Sequence, residues 1–235
     1  MIQTLLTSLW TIFATCFVAA LITIFSFFTK KANIGHLIAA MWGRSILWIT
    51  NIKVNVSGLS NIDPNKSYIY MPNHQSFFDI PVLFGHLRVQ FRWLAKAELF
   101  KIPVFGTAMK GAGYISIDRS NKKSAKESID KAANAIEDGV SIIIFPEGTR
   151  SKDDSIQTFK KGGFILAIDK GVPIVPVIIK GTREILARDK FIIKSGNVSF
   201  KILPPIDTSG YSLANKDELV NKVHDIMCSA YEKDY

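Results

Sequence analysis

From Lys53 onward, short apolar runs alternate with stretches of helical periodicity, and this alternation limits the fold more than any other feature of the chain. Residues 54–56, 68–71, 91–95 and 114–117 read as strands. Residues 124–138 put Ala125, Ile129, Ala132, Ala133 and Ile136 on one helical face, and Gly139 supplies the stop. Residues 141–145 read as a buried strand ended by Pro146, and 163–170 as a helix ended by Gly171. Residues 172–179 hold Pro173 and Pro176, which predicts at best an irregular or edge strand. Residues 191–194 and 198–203 flank Ser195-Gly196-Asn197 and predict a hairpin, and 213–231 predict a closing amphipathic helix. The pattern predicts an α/β domain over residues 53–235, with a largely parallel central sheet flanked by helices.

Residues 1–52 follow another rule. From Leu5 to Phe28 there is no charge, and Lys30-Lys31 close the stretch. As a helix it measures about 36 Å, enough to cross a hydrocarbon core of ~30 Å. A one-leaflet anchor is the alternative. A second apolar segment, residues 37–52, carries Arg44 between Trp42 and Trp48, which suits the interface better than a span. The expectation is an N-terminal membrane-associated helix pair ahead of the α/β domain, with a packed helical hairpin of soluble type as the competing reading.

In parallel sheets ligands gather beyond the carboxyl ends of the strands. Three charged loops follow strands in that way: Asn73–Asp79, Asp118-Arg119 and residues 147–150. One shared cleft is therefore expected. Within the first loop His74 and Asp79 stand five positions apart. On one continuous helix that is about 140° of rotation, so contact needs a break, with His74 on a loop and Asp79 as N-cap of the next helix. Paired in this way, a carboxylate fixes the imidazole tautomer and a neutral imidazole takes a hydroxyl proton. Without the pairing, Asp79 only caps a helix and His74 is a turn residue.

Arg150 offers a flat fork for phosphate, and Gly148 lets backbone N–H groups approach an anion; a surface Arg150–Glu147 pair is the simpler alternative. Asp118-Arg119 fits a local ion pair, and Lys160-Lys161 fits either an anion cradle or a solvated turn. The 29 basic against 20 acidic side chains leave a charge of +9, which favours anionic partners such as phosphorylated metabolites or acidic headgroups. The basic residues are dispersed and no nucleic-acid signature appears, so nucleic acid is not an expected partner. Two cysteines, Cys16 and Cys228, form neither a disulfide framework nor a metal-ligand spacing.

Taken together the motifs are similar to those of a known family. Asn73-His74-Gln75-Ser76-Phe77-Phe78-Asp79 resembles the His-x4-Asp block of the glycerolipid acyltransferases, and Gly113-Tyr114-Ile115-Ser116-Ile117-Asp118-Arg119 resembles their second block. Phe145-Pro146-Glu147-Gly148-Thr149-Arg150 resembles the third, and Val172-Pro173-Ile174-Val175-Pro176-Val177 the fourth. The blocks occur in order within residues 54–203. One departure is Ser116, where the family often has a bulkier residue. The branch most resembled is that of the 1-acyl-sn-glycerol-3-phosphate acyltransferases.

The resemblance implies transfer of a fatty acyl group from a thioester, acyl-CoA or acyl carrier protein, to the sn-2 hydroxyl of lysophosphatidic acid, giving phosphatidic acid. It implies His74 as general base oriented by Asp79. Arg150 with Glu147, Gly148 and Thr149 would hold the glycerol phosphate, assisted by Arg119 and Lys161. No cofactor beyond the thioester co-substrate and no metal are implied. The lipid bilayer is an expected partner, with the active site on its cytoplasmic face. Another acceptor, glycerol 3-phosphate or a lyso-aminolipid, and a non-catalytic lipid-binding scaffold are the competing readings.

Overall fold

The computed structural model describes residues 1–28, 32–118 and 122–233. Two helices, α1 (Ile2–Phe28) and α2 (Ala32–Ile49), precede β1 (Ile52–Ser57), β2 (Ile69–Pro72) and α3 (Asp79–His86). Then come β3 (Phe91–Lys96), α4 (Phe105–Gly111), β4 (Ile115–Ile117), α5 (Lys122–Glu137), β5 (Ser141–Ile143) and α6 (Gly162–Lys170). The chain closes with β6 (Ile174–Lys180), α7 (Thr182–Ile185), β7 (Gly196–Ile202) and α8 (Lys216–Glu232). The seven strands form one sheet in the order β1-β7-β6-β2-β5-β3-β4. Five neighbours, β6 to β4, run parallel; β7 is antiparallel to β6 and parallel to β1. The expected α/β architecture with a largely parallel sheet is therefore present.

Alternation along the buried strands divides the core into two layers. Tyr70, Ile143, Val175, Val177 and Phe200 point toward α2 and α3, where they meet Ala39, Leu47, Val82 and Leu83. Ile69, Met71, Ile142, Ile174 and Ile178 point the other way, toward Ala132, Phe164, Leu219 and Val223 of α5, α6 and α8. Gly139 and Gly171 both take positive φ directly after their helices, as their glycine stops predict.

Two sequence expectations fail here, each for a local reason. β6 lies inside the sheet between β7 and β2, not at an edge. Pro173 precedes the strand, and its carbonyl accepts the Ile69 N–H at 3.1 Å. Pro176 faces β7 at Leu203, one residue past the end of β7, where its carbonyl still accepts the Leu203 N–H at 3.0 Å. The donor that proline lacks is thus missing only at the end of a ladder. The predicted hairpin around Gly196 is also absent: β7 pairs with β6 and β1, and residues 191–195 form no strand. The Lys194 N–H instead donates to the Ile185 carbonyl at 3.0 Å.

α1 lies along the domain rather than projecting from it. Near its start, the Gln3 side chain donates to the Thr50 carbonyl at 2.9 Å and Thr4 hydrogen-bonds the backbone of Ile193. In its middle, Trp10 donates to Ser45 Oγ and Trp42 donates to Thr15 Oγ1. Near its end, Gly111 of α4 comes so close that an added Cβ would meet Ser26 Cβ at 2.8 Å. Trp42, expected at headgroup level, thus turns into the seam between α1 and α2, while Trp48 is 75% exposed. The opposite face of α1 is an open apolar surface that includes Leu5, Leu9, Phe13, Phe17 and Phe25. Lys30 and Lys31 lie outside the described residues.

Candidate active site

The site is built where β2 ends. Asn73 is fully buried; its side-chain amide donates to the Ile179 carbonyl at 2.9 Å and its amide oxygen accepts the Ile179 N–H at 2.7 Å. A side chain thereby extends the β2–β6 ladder by one rung and fixes where the loop leaves the sheet. His74 follows, held by its own backbone to the loop after β5. Its N–H donates to Glu147 Oε1 at 2.7 Å and its carbonyl accepts the Ser151 N–H at 2.8 Å.

His74 Nδ1 lies 2.7 Å from Asp79 Oδ2. The required break in the helix is present, but Asp79 is not the N-cap. That position belongs to Phe78, and Asp79 is the first residue of α3. From there its carboxylate folds back: Oδ2 also accepts the N–H groups of Gln75 at 2.7 Å and Ser76 at 2.9 Å, and Oδ1 accepts the Thr182 hydroxyl. A fully buried carboxylate needs such donors. The N-terminus of α3 adds a favourable dipole. The Phe145 ring stacks flat on the imidazole, centroids 3.8 Å apart and 11° from parallel. The side chain keeps 15% exposure, and no group among the described residues hydrogen-bonds Nε2. One ring nitrogen is anchored and the other faces the cleft.

The remaining predicted site residues separate into groups. Glu147 does not pair with Arg150. It is 3% exposed and turned inward, with Oε1 on the His74 N–H and Oε2 on Ser151 Oγ at 2.7 Å and the Gln157 N–H at 3.0 Å. Burial pushes its carboxyl pKa up, and those three donors oppose the shift. Its place is that of a brace beneath the loop that carries His74. Gly148 takes φ of 75° in the turn, and Thr149 is exposed at its tip. Arg150 lays its guanidinium over Phe77, 3.7 Å from the ring centre, and among the described residues no carboxylate pairs with it. Partial burial and then nearby Arg188 lower its pKa, while the charges of Asp189 and Asp79 oppose the shift.

Two expected participants lie elsewhere. Lys161 pairs with Asp217 on α8 at 2.8 Å. On the same helix Tyr231 touches Gln75 in the loop after β2, fourteen residues later, so Lys161 is about 20 Å along the axis from that contact. In the structure an acidic side chain on a neighbouring helix pairs with its ammonium, and both side chains are more than half exposed. Arg119 lies outside the described residues. Asp118 before it follows β4, which is three strands from β2, so the second charged loop starts at the far edge of the sheet.

Several residues at the site had no sequence signal beyond their type. Thr182, the first residue of α7, donates its hydroxyl to Asp79 Oδ1. The side chain of Gln75 donates to the Tyr231 hydroxyl at 2.8 Å, and that hydroxyl donates to Asp154 Oδ1 at 2.5 Å. The guanidinium of Arg188 donates to the Arg150 carbonyl at 2.6 Å. Each is more than thirty positions from its partner, a separation that local pattern does not reveal. Among the described residues no three His, Cys, Asp or Glu side chains gather closely enough to hold a metal ion.

Two apolar hollows share Trp42 and Ile80 as a wall. One, of about 130 Å³, lies among Ala19, Phe84, Trp93 and Met109. The other, of about 440 Å³, lies among Ser8, Ile12, Phe77, Leu186 and Ile193.

The acyltransferase family model matches residues 53–180. The chain is 36% identical over 176 residues to the chloroplast 1-acyl-sn-glycerol-3-phosphate acyltransferase LPAT1 of Arabidopsis thaliana, which covers 74% of this chain and 49% of that one. It is 33% identical over 208 residues to the 1-acyl-sn-glycerol-3-phosphate acyltransferase of Haemophilus influenzae, covering 87% of this chain and 85% of the relative. The crystal structure of the 1-acyl-sn-glycerophosphate (LPA) acyltransferase PlsC from Thermotoga maritima aligns with a TM-score of 0.82 at 28% identity, over 99% of this chain and 96% of that one. The chain spans about half the length of the chloroplast relatives it matches. With more than half of its residues under the family model and most of a bacterial relative aligned to it, the chain belongs to the acyltransferase family.

Proposed function

We propose that this chain transfers a fatty acyl group from an acyl-CoA or acyl carrier protein thioester to the sn-2 hydroxyl of lysophosphatidic acid, forming phosphatidic acid. The observation that carries the reading is the His74–Asp79 pair with Nε2 open, joined through Ser151 to an Arg150 that forms no ion pair with a carboxylate among the described residues. His74 Nε2 takes the acceptor's hydroxyl proton as that oxygen attacks the thioester carbonyl. Asp79 stabilises the imidazolium. The carbon–sulfur bond then breaks, and the departing thiolate receives the proton from His74. Arg150 holds the acceptor's phosphate, with Arg188 adding positive charge nearby. The names of the relatives support lysophosphatidic acid as the acceptor. The test is incubation of the purified protein with radiolabelled acyl-CoA or acyl carrier protein and a panel of lysolipids, glycerol 3-phosphate and lyso-aminolipids included. Transfer only to a phosphate-free acceptor overturns the reading, and transfer to none favours the lipid-binding scaffold.

Arg150→Lys keeps the charge but loses both the fork and the flat contact with Phe77. The expected result is a rise in acceptor KM on the order of tenfold, with little change for the thioester. An equal rise for both substrates moves Arg150 to the donor's phosphates.

Residues 1–52 serve as the membrane-associating part and 53–235 as the catalytic part, a division of labour rather than a packing boundary, since α2 belongs to the core. α1 is long and apolar enough to cross a bilayer. Its contacts with the domain along its length favour an in-plane position in one leaflet, because a perpendicular α1 would drag charged surface into hydrocarbon. The cytoplasmic face, where acyl thioesters are made, is the side that fits the chemistry. Phe13 and Phe17 are 60% and 55% exposed, so changing both to lysine leaves the core intact. The double variant should partition into phosphatidylglycerol vesicles at least roughly tenfold less, since each lost phenylalanine contact is worth about 2 kcal/mol. Unchanged partitioning means that this face does not meet lipid.

A further inference from the structure

The reaction has two hydrocarbon chains to place, and two apolar hollows adjoin the site. We infer that the groove among Phe77, Leu186, Ile193 and the Ser8–Ile12 turn of α1, and not the hollow behind Trp93, is the subsite for the chain that the acceptor lysolipid already carries. The inference rests on the acyl-transfer reading above and adds which cavity takes the acceptor's chain.

The assignment follows from what stands at each mouth. Phe77 lines the groove, and the Arg150 guanidinium covers a face of the same ring at 3.7 Å. An acceptor whose phosphate rests on Arg150 therefore meets the groove as its first apolar surface. The hollow behind Trp93 is separated from the base by packed rings. Trp93 packs against Phe145 at 5.2 Å, and Phe145 stacks on His74. Among the described residues no charged side chain lines that hollow. A phosphate there would find no cation.

The groove is also a built feature. Ser76 Oγ donates to the Leu186 carbonyl at 2.7 Å, which fixes the groove floor to the catalytic loop. Thr4 Oγ1 accepts the Ile193 N–H at 3.1 Å, which fixes the opposite wall to the first turn of α1. The groove borders the α1 surface that carries Leu5 and Leu9, so a lipid can enter from the side without leaving the leaflet. Its floor is preformed relative to His74, and this makes it a site that measures the acceptor.

Ser8→Phe and Thr11→Phe each put a ring into the groove from a half-buried helical position. For both variants, kcat/KM with oleoyl lysophosphatidic acid should fall roughly tenfold or more relative to hexanoyl lysophosphatidic acid, about the worth of two buried methylenes. The ranking of octanoyl to oleoyl thioesters should stay as it was. A shift toward shorter thioesters with the acceptor ratio unchanged overturns the inference, as does no shift in either ratio. A binding experiment separates this from failure of the function itself. Lysophosphatidic acid with a diazirine at the end of its chain should label peptides containing Ile12 and Ile193 in the unaltered protein, and excess unlabelled lipid should suppress the labelling. Labelling of residues 93–109 instead, or labelling that competitor does not suppress, overturns the groove assignment even where acyl transfer is seen. Suppressible groove labelling in a protein that acylates no lysolipid keeps the subsite and discards the reaction.

Discussion

His74→Ala is expected to lower turnover by roughly 10²–10⁴-fold, the usual loss when a general base is removed. The fold should be untouched, because the loop is held by backbone groups that alanine retains. The residue 74 N–H still reaches Glu147, its carbonyl still accepts from Ser151, and Asp79 Oδ2 keeps the Gln75 and Ser76 N–H groups. Thermal unfolding alongside initial rates with both substrates checks this. A purified, folded variant within tenfold of the unaltered protein would falsify the assignment of the base.

Asp79→Asn is expected to be nearly as severe while changing no shape. Asp79 Oδ2 accepts three donors at once, so an asparagine oriented to satisfy them places its oxygen there and turns its NH2 toward Thr182, whose hydroxyl can accept. Geometry is then conserved and only the charge is lost, leaving the imidazolium without its counter-charge. We expect kcat to fall on the order of 10²–10⁴-fold with acceptor and donor KM nearly constant. A loss confined to KM makes Asp79 part of the binding surface instead. Thr182→Val, which removes one hydrogen bond to the same carboxylate and keeps its charge, should cost far less.

How far the sequence could be read depended on separation along the chain. The offset of five between His74 and Asp79 allows contact only across a break, and the structure places the break between them. The α/β alternation was legible because burial on both faces of a strand leaves continuous apolar runs such as residues 141–145. Pro176 misled because a ladder's end cannot be recognised before the ladder is known. Glu147 misled because a carboxylate beside a glycine turn reads as exposed, whereas the donors that draw it inward include His74 N–H, 73 positions away. The Lys161–Asp217 ion pair is not legible for the same reason, its partner being 56 positions on. Thr182, Arg188 and Tyr231 carry no local pattern at all; only the closing of β6 and α8 against the catalytic loop assigns them a part.

The sheet order also sets a sequence of events during synthesis. β1 is the first strand made, yet among the described residues it pairs only with β7, joining Ile52 to Gly196 across most of the chain. Five parallel strands can assemble while β1 waits with an open edge, a slow, high-separation closure that comes last. Over that interval the apolar helices ahead of it are already free of the ribosome. A lipid surface that captures them early also holds the unpaired edge away from other nascent chains, so that anchoring and protection from misassembly become one act.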